Sequence, residues 1–307
     1  MRKINTQTHR ERFAGEKKIR YILPYLMIAP AIVFLIIFTY WPLINLVQLS
    51  FQDYNMINPA KTKFVGLQNF YNILFVKDDF IVALKNTSVY TCCVVIFLIL
   101  FAILFALWVK KDTWQNYFAQ TAFFTPHIIA MISCGMVWAW IMDTDRGILN
   151  TVFNFFGLPS LRWLNSSKTA MLSVVIVSVW KNIGYYALII ISSLKSIPTE
   201  IYEAAELDNT PRGRKFFRIT LPMISPQLFF LLITITIGSF KVFDTIRVMT
   251  DGGPGSATDV VAYYIYRYAF HHFRIGLAAA AGVVLMIVMI IMTIIYFKVL
   301  AKKVFYQ

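Results

Sequence analysis

Five stretches of this chain, 21–52, 86–109, 113–142, 219–240 and 275–297, contain no Asp, Glu, Lys or Arg. Each reaches the about 20 residues that an apolar helix needs to cross a bilayer core. A sixth stretch, 169–194, is interrupted only by Lys181, and it spans as well if that ammonium faces a bundle interior or snorkels. Barrel strands would show about ten residues of alternating polarity, and nothing here alternates. Only 14% of residues are charged, roughly half the share of a soluble chain, and 58% are hydrophobic. The fold class expected is an all-α membrane protein of six transmembrane helices. The first stretch follows seven basic residues between Arg2 and Arg20. It is longer than a secretory signal core and ends in Leu-Ser-Phe-Gln, without a small-residue cleavage site, so it reads as a retained span.

The basic residues orient these spans. Segments 1–20, 110–120, 195–225 and 298–307 hold 17 Lys and Arg in 72 positions, against 10 in 93 for segments 51–85, 142–169 and 247–276. The first set is about twice as dense, which by the positive-inside rule makes it cytoplasmic, both termini included. A basic cytoplasmic segment over 1–20 and one membrane domain over 21–307 are expected. The net charge of +14 sits mostly at that cytoplasmic face, where anionic lipid headgroups are the partner, and no nucleic acid is needed to explain it.

Little in the chain points to chemistry of its own. No Gly-Lys dipeptide is present, hence no Walker A loop to hold a nucleotide's phosphates, and there is no HExxH or GxSxG. Cys92, Cys93 and Cys134 fall inside spans without metal-ligand spacing, and the adjacent His271 and His272 lack the i, i+4 spacing of helical zinc pairs. His127 follows Pro126 and reads as part of a proline kink.

The exception to the apolar pattern is the block 195–225, which carries Glu200, Glu203, Glu206, Asp208, Arg212, Arg214, Lys215 and Arg218 and cannot sit in hydrocarbon. A short helix is expected from Thr199, with its acids toward the positive end of the dipole. Asp208 and Asn209 form a turn, and a second short helix runs from Arg212 to Leu221, stopped by Pro222. On residue chemistry alone the block is either a docking surface or a solvated connector.

A resemblance carried by the order of residues within it favours the docking surface. Glu203-Ala204-Ala205, the turn at Asp208-Asn209 and the closing Ile219-Thr220-Leu221-Pro222 resemble the EAA loop of ABC-importer permeases, with that family's spacing. Phe64-Val65-Gly66-Leu67-Gln68-Asn69-Phe70 and Asp251-Gly252-Gly253-Pro254-Gly255-Ser256-Ala257-Thr258 are similar to the family's carbohydrate-uptake branch, which includes maltose, lactose and glycerol-3-phosphate systems. The chain departs from the pattern at Asn209, where the family has glycine; asparagine tolerates the left-handed conformation better than other side chains. The resemblance implies a permease subunit that forms half of a translocation pathway in a prokaryotic cytoplasmic membrane. It would pair with a second, different permease, a cytoplasmic ATPase dimer that carries the ATP and Mg, and an extracytoplasmic solute-binding protein. Glu203 would be the charged contact with the ATPase, Ala204 and Ala205 the close-packing face, and Leu221 and Pro222 the link to the fifth span.

Two groups are candidates for the solute pathway. Lys181, Asn182, Tyr185 and Tyr186 cluster midway along the fourth span, where tyrosine rings and amide or ammonium donors suit a polyhydroxylated solute. Lys241 and Asp244 lie three apart near the end of the fifth span, a helical spacing that would let them pair. Interhelical hydrogen bonding and lysine snorkelling is the competing reading of these residues. The solute expected is a sugar or oligosaccharide, with glycerol-3-phosphate the alternative within the family. An ion-coupled secondary transporter is the alternative outside it, and would call for paired carboxylates within the spans.

Overall fold

A computed structural model describes residues 23–55 and 58–300. The basic segment 1–20 and the tail 301–307 lie outside the described residues. Among the described residues four helices are long and apolar enough to cross a membrane: α1 (Leu23–Ser50), α3 (Asp78–Val109), α7 (Ala170–Lys195) and α13 (Ile275–Val299). Two bent pairs make further spans if each is taken as one: α4 (Trp114–Ile128) with α5 (Met131–Ile141), broken by 101°, and α9 (Arg212–Met223) with α10 (Ser225–Phe240), broken by 68°. Shorter helices connect them: α2 (Gln68–Tyr71), α6 (Ile148–Phe155), α8 (Thr199–Leu207), α11 (Asp244–Met249) and α12 (Val261–Tyr266).

The breaks differ from the continuous spans expected at 113–142 and 219–240, and each has a local cause. In α4 the interior Pro126 removes one backbone donor, and the chain turns extended at Ile129 and Ala130. In α9 the helix does not stop at Pro222. It opens into a π-turn over Phe216–Thr220, so the hydrogen-bond register shifts just before the residue that lacks an N–H. The turn comes at Ile224, and Pro226 sits in the first turn of α10, where its missing donor costs nothing.

The core is a seam between α3 and α7. Tyr90, Val94, Leu98, Ala102 and Ala106 of α3 are buried against Val174, Val175, Ala187, Ile190 and Ile191 of α7, with Leu231 and Ile235 of α10 closing the third side. A second core packs Phe80 and Ala83 of α3 against Tyr264 and the small-residue run Ala278, Ala280 and Ala281 of α13. Small residues let membrane helices approach closely. Helix α1 packs chiefly along α13, and most of its side chains are exposed.

The end of the bundle away from the polar loop is fastened by the Phe64–Phe70 stretch. Strands β1 (Gln52–Asp53) and β2 (Lys63–Phe64) pair antiparallel, Gln52 opposite Phe64. The buried Asn69 donates through Nδ2 to the carbonyls of Ser50 and Gln52, both at 2.9 Å, and so satisfies the end of α1. Gly276 completes the junction: a Cβ there would lie 2.1 Å from the Gln52 oxygen and 2.7 Å from Asn69 Nδ2. At the same end Thr258 Oγ1 donates to the Gly253 carbonyl at 2.7 Å, while Asn86 Nδ2 donates to the carbonyls of Ser256 and Asp259, so the glycine-rich loop is stitched to α3.

Candidate functional site

The candidate residues fall in two places, and the first is the polar loop. Helix α8 ends in a left-handed residue, Asn209, with φ of 51°. The Thr210 N–H donates to the Ala205 carbonyl at 2.9 Å and the Asn209 N–H to the Glu206 carbonyl at 3.0 Å. That pair of bonds is a Schellman ending, in which glycine is usual and asparagine the next best residue. The departure at position 209 therefore keeps the turn. Two further contacts hold α8 on α9: Tyr202 Oη lies 3.1 Å from Thr220 Oγ1, and Lys215 Nζ donates to Glu206 at 3.0 Å.

Within this frame Glu203, Ala204, Asp208 and Asn209 are exposed, whereas Ala205 is buried against the chain's own core. Of the two alanines expected on the close-packing face, Ala204 is exposed and Ala205 is not. Ile219, Leu221 and Pro222 are half-buried where α9 runs into α10. Leu207, which the sequence analysis passed over, lies one helical turn beyond Glu203 and is 85% exposed. Its signal in sequence is a large apolar residue in the last turn of α8, at i+3 and i+4 from Ala204 and Glu203.

The polar loop follows directly from α7, whose last residue is fastened in turn. Lys195 Nζ donates to Asp112, and Tyr117 Oη donates to the same carboxylate oxygen at 2.7 Å. The Lys195 bond and then the Tyr117 bond hold the Asp112 carboxyl below the usual range.

The second place is a cavity of about 260 Å³ among α3, α7, α10 and the segment 241–245. Its polar wall comprises Tyr90, Ser178, Asn182, Tyr186, Ser239, Lys241 and Asp244, and its apolar wall includes Val94, Leu98, Met131 and Phe243. Tyr90 Oη donates to Ser178 Oγ at 2.8 Å, and Asn182 Nδ2 donates to the Ser178 carbonyl at 2.8 Å. Asn182, Tyr186, Lys241 and Asp244 are thus brought together.

Lys181 and Tyr185 do not line this cavity. Lys181 is buried and donates through Nζ to the carbonyls of Pro126, His127 and Ile129 at 2.9, 2.9 and 2.6 Å. Tyr185 stacks on His127 with ring centroids 4.3 Å apart, and His127 Nδ1 lies 3.0 Å from Asn182 Oδ1. Lys241 and Asp244 do not form the pair that helical spacing predicted. Helix α10 ends at Phe240 and α11 begins at Asp244, so the intervening residues break the register; no ion pair joins the two among the described residues.

A bundle of apolar helices, two of them broken, with a polar cavity and a protruding capped helix, is the architecture of a membrane permease. The profile described as binding-protein-dependent transport system inner membrane component matches residues 64–306, and the chain belongs to that family of multi-pass membrane proteins. It is 37% identical to the probable ABC transporter permease protein YurN of Bacillus subtilis (strain 168), over 90% of this chain and 95% of that protein. It is 35% identical to the sn-glycerol-3-phosphate transport system permease protein UgpA of Salmonella choleraesuis, covering 93% and 96% of the two chains. To the arabinooligosaccharides transport system permease protein AraP of Halalkalibacterium halodurans the identity is 30%, covering 89% and 86%. The fold matches a chain of a bacterial alginate ABC transporter, solved with an alginate pentasaccharide-bound periplasmic protein, with a TM-score of 0.82 and 26% identity over 94% of this chain and 99% of that one.

Proposed function

We infer that this permease forms half of the pathway of an ABC importer for a sugar or oligosaccharide. The observation that carries the reading is the cavity wall, where two tyrosines, two serines and an asparagine face aliphatic and aromatic side chains. Hydroxyl and amide groups meet a sugar's hydroxyls while ring faces and aliphatic carbons meet its apolar faces. Its volume of about 260 Å³ falls near the lower end of ligand pockets, as suits one half of a shared pathway. The names of AraP and of the alginate transporter agree with a saccharide.

In this reading each bent pair counts as one span, giving six, with the polar loop and both termini cytoplasmic. Glu203, Ala204, Leu207 and Asp208 dock on the ATPase, with Asn209 closing the helix and Ile219, Leu221 and Pro222 carrying its movement into α10. The partners are a second permease, an ATPase dimer holding ATP and Mg, and a solute-binding protein. Coupling requires that the ATPase bind α8 differently in its open and closed states, since a ligand shifts an equilibrium only by its differential affinity.

Lys241 favours a second reading. This unpaired cation at the cavity wall suits the phosphate of glycerol-3-phosphate, the solute named for UgpA. Uptake by cells lacking the chain and complemented with it separates the two. The saccharide reading expects labelled neutral oligosaccharide to enter and Lys241→Gln to leave that uptake within about twofold. Uptake of glycerol-3-phosphate alone, abolished by Lys241→Gln, would establish the second reading and overturn the first.

A further inference from the structure

Lys181 is a cation placed where the chain ought to be apolar, and its surroundings say what it does. An ammonium has three N–H donors. All three are used, on the carbonyls of Pro126, His127 and Ile129. Those carbonyls lie where α4 ends and the chain breaks by 101°. The last carbonyls of a helix have no intrahelical partner, they carry the negative end of its dipole, and in a bilayer core no water is at hand to satisfy them. One buried ammonium answers both the hydrogen-bonding and the charge requirement of that end.

Its neighbours on α7 grip the same point. A Cβ on Gly184 would lie 2.1 Å from the Phe123 carbonyl oxygen, so α4 rests directly on the α7 backbone. Asn182 meets the His127 ring edge at 3.0 Å and Tyr185 covers its face at 4.3 Å. Beyond the break, Met131 opens α5 and forms part of the cavity wall. Helix α5 then packs through Gly135 against Val248 and Met249 of α11, whose first residues, Asp244 and Thr245, also reach the cavity.

We propose that Lys181, with Asn182 and Tyr185, is a fastener that fixes the α4–α5 break on α7 and thereby positions Met131 and α11 at the cavity. Lys181 is a positioning residue and does not touch the solute. Because α7 continues through only Ser196, Ile197 and Pro198 into α8, the helix that grips the break is also the one that carries the docking helix. Movement of α8 is then delivered to the cavity wall through this fastener. The inference rests on the permease reading for its functional consequence, although the fastener itself is a property of this chain alone.

The test is maleimide labelling of Met131→Cys in the full-length chain in native membranes, with Cys92, Cys93 and Cys134 replaced by alanine. Lys181→Met, of similar length and without donors, is expected to change the labelling rate at position 131 at least fivefold. In uptake assays it should lower the maximal rate and raise KM together. Tyr185→Ala, which leaves the three Lys181 bonds in place, should change labelling about twofold to threefold, and it decides the matter if Lys181→Met does not accumulate. Unchanged labelling in either accumulating variant overturns the proposal. So does a loss of solute affinity in Lys181→Met with labelling unchanged, which would make Lys181 a solute ligand. Absence of any uptake by the parent chain would count against the importer reading and leave the labelling result standing.

Discussion

If α8 docks on the ATPase as proposed, Leu207 gives that contact a measurable energy. A leucine that is 85% exposed at the end of a short helix has its side chain available for burial by a partner. Truncation to alanine removes three carbons, each worth about 0.8 kcal/mol when buried, so with 85% of the side chain available the loss is about 2 kcal/mol. That is about 30-fold in the Kd for the ATPase subunit. Because Leu207 makes so little contact within its own chain, and alanine is the better helix former, Leu207→Ala should leave the Tm of the isolated permease within about 1 °C. The assay is equilibrium binding of the purified ATPase to the permease in nanodiscs, beside a thermal melt of each variant. An ATPase affinity within twofold of the parent, with the melt unchanged, would refute docking through this face. A fall in both Tm and affinity would show that Leu207 acts by holding the permease together, contrary to its exposure.

Three further outcomes follow from the same geometry. Glu203→Lys should accumulate in the membrane normally yet uncouple ATP hydrolysis from uptake, because Glu203 is exposed and unpaired among the described residues; undiminished uptake would refute its docking role. Asn209→Gly should leave Tm and coupled uptake nearly unchanged, since both residues accept φ of 51°, whereas Asn209→Val should cost about 1–2 kcal/mol, read as a lower Tm and weaker ATPase binding. Burial pushes the Asp259 carboxyl up to about 6 despite its 2.5 Å bond from Arg267. The folded chain therefore holds that proton more tightly than the unfolded one. Its contribution is full below about 4 and is lost as pH rises through about 6. Melts of the purified permease should show this decline and Asp259→Asn should flatten it; the same slope in both would place its source elsewhere.

How much could be read in advance depended on whether a feature is written locally. Three of the four long helices follow from charge-free runs, and α7 from a run broken only by Lys181, because excluding charge from hydrocarbon is a property of each residue taken alone. The capped turn at Asn209 was legible for a similar reason, being decided by one residue's tolerance of positive φ. The break at Ile129–Ala130 was legible only as a proline kink at Pro126 and His127, and its sharpness of 101° was not, since Ile129 and Ala130 are both apolar. The carbonyls it frees are met by Lys181, more than 50 positions away, and a bond to backbone carbonyls is something no side-chain pattern reveals. The spacing of Lys241 and Asp244 misled because i, i+3 means proximity only if the helix continues, and α10 ends at Phe240. Ala205 and Leu207 exchange the roles their chemistry suggests, small residue inside and large one outside, because α8 lies with its 205 side on the bundle.

If this permease is one part of an ATP-driven importer, its partners are retained with it. The chain, expressed at native level and extracted in mild detergent, would be purified and everything retained with it identified by mass spectrometry. A Walker-motif ATPase and a second permease of the same family are expected, with the ATPase lost from Glu203→Lys preparations. Recovery of the chain alone, with no ATPase even after gentle crosslinking, would contradict the importer reading.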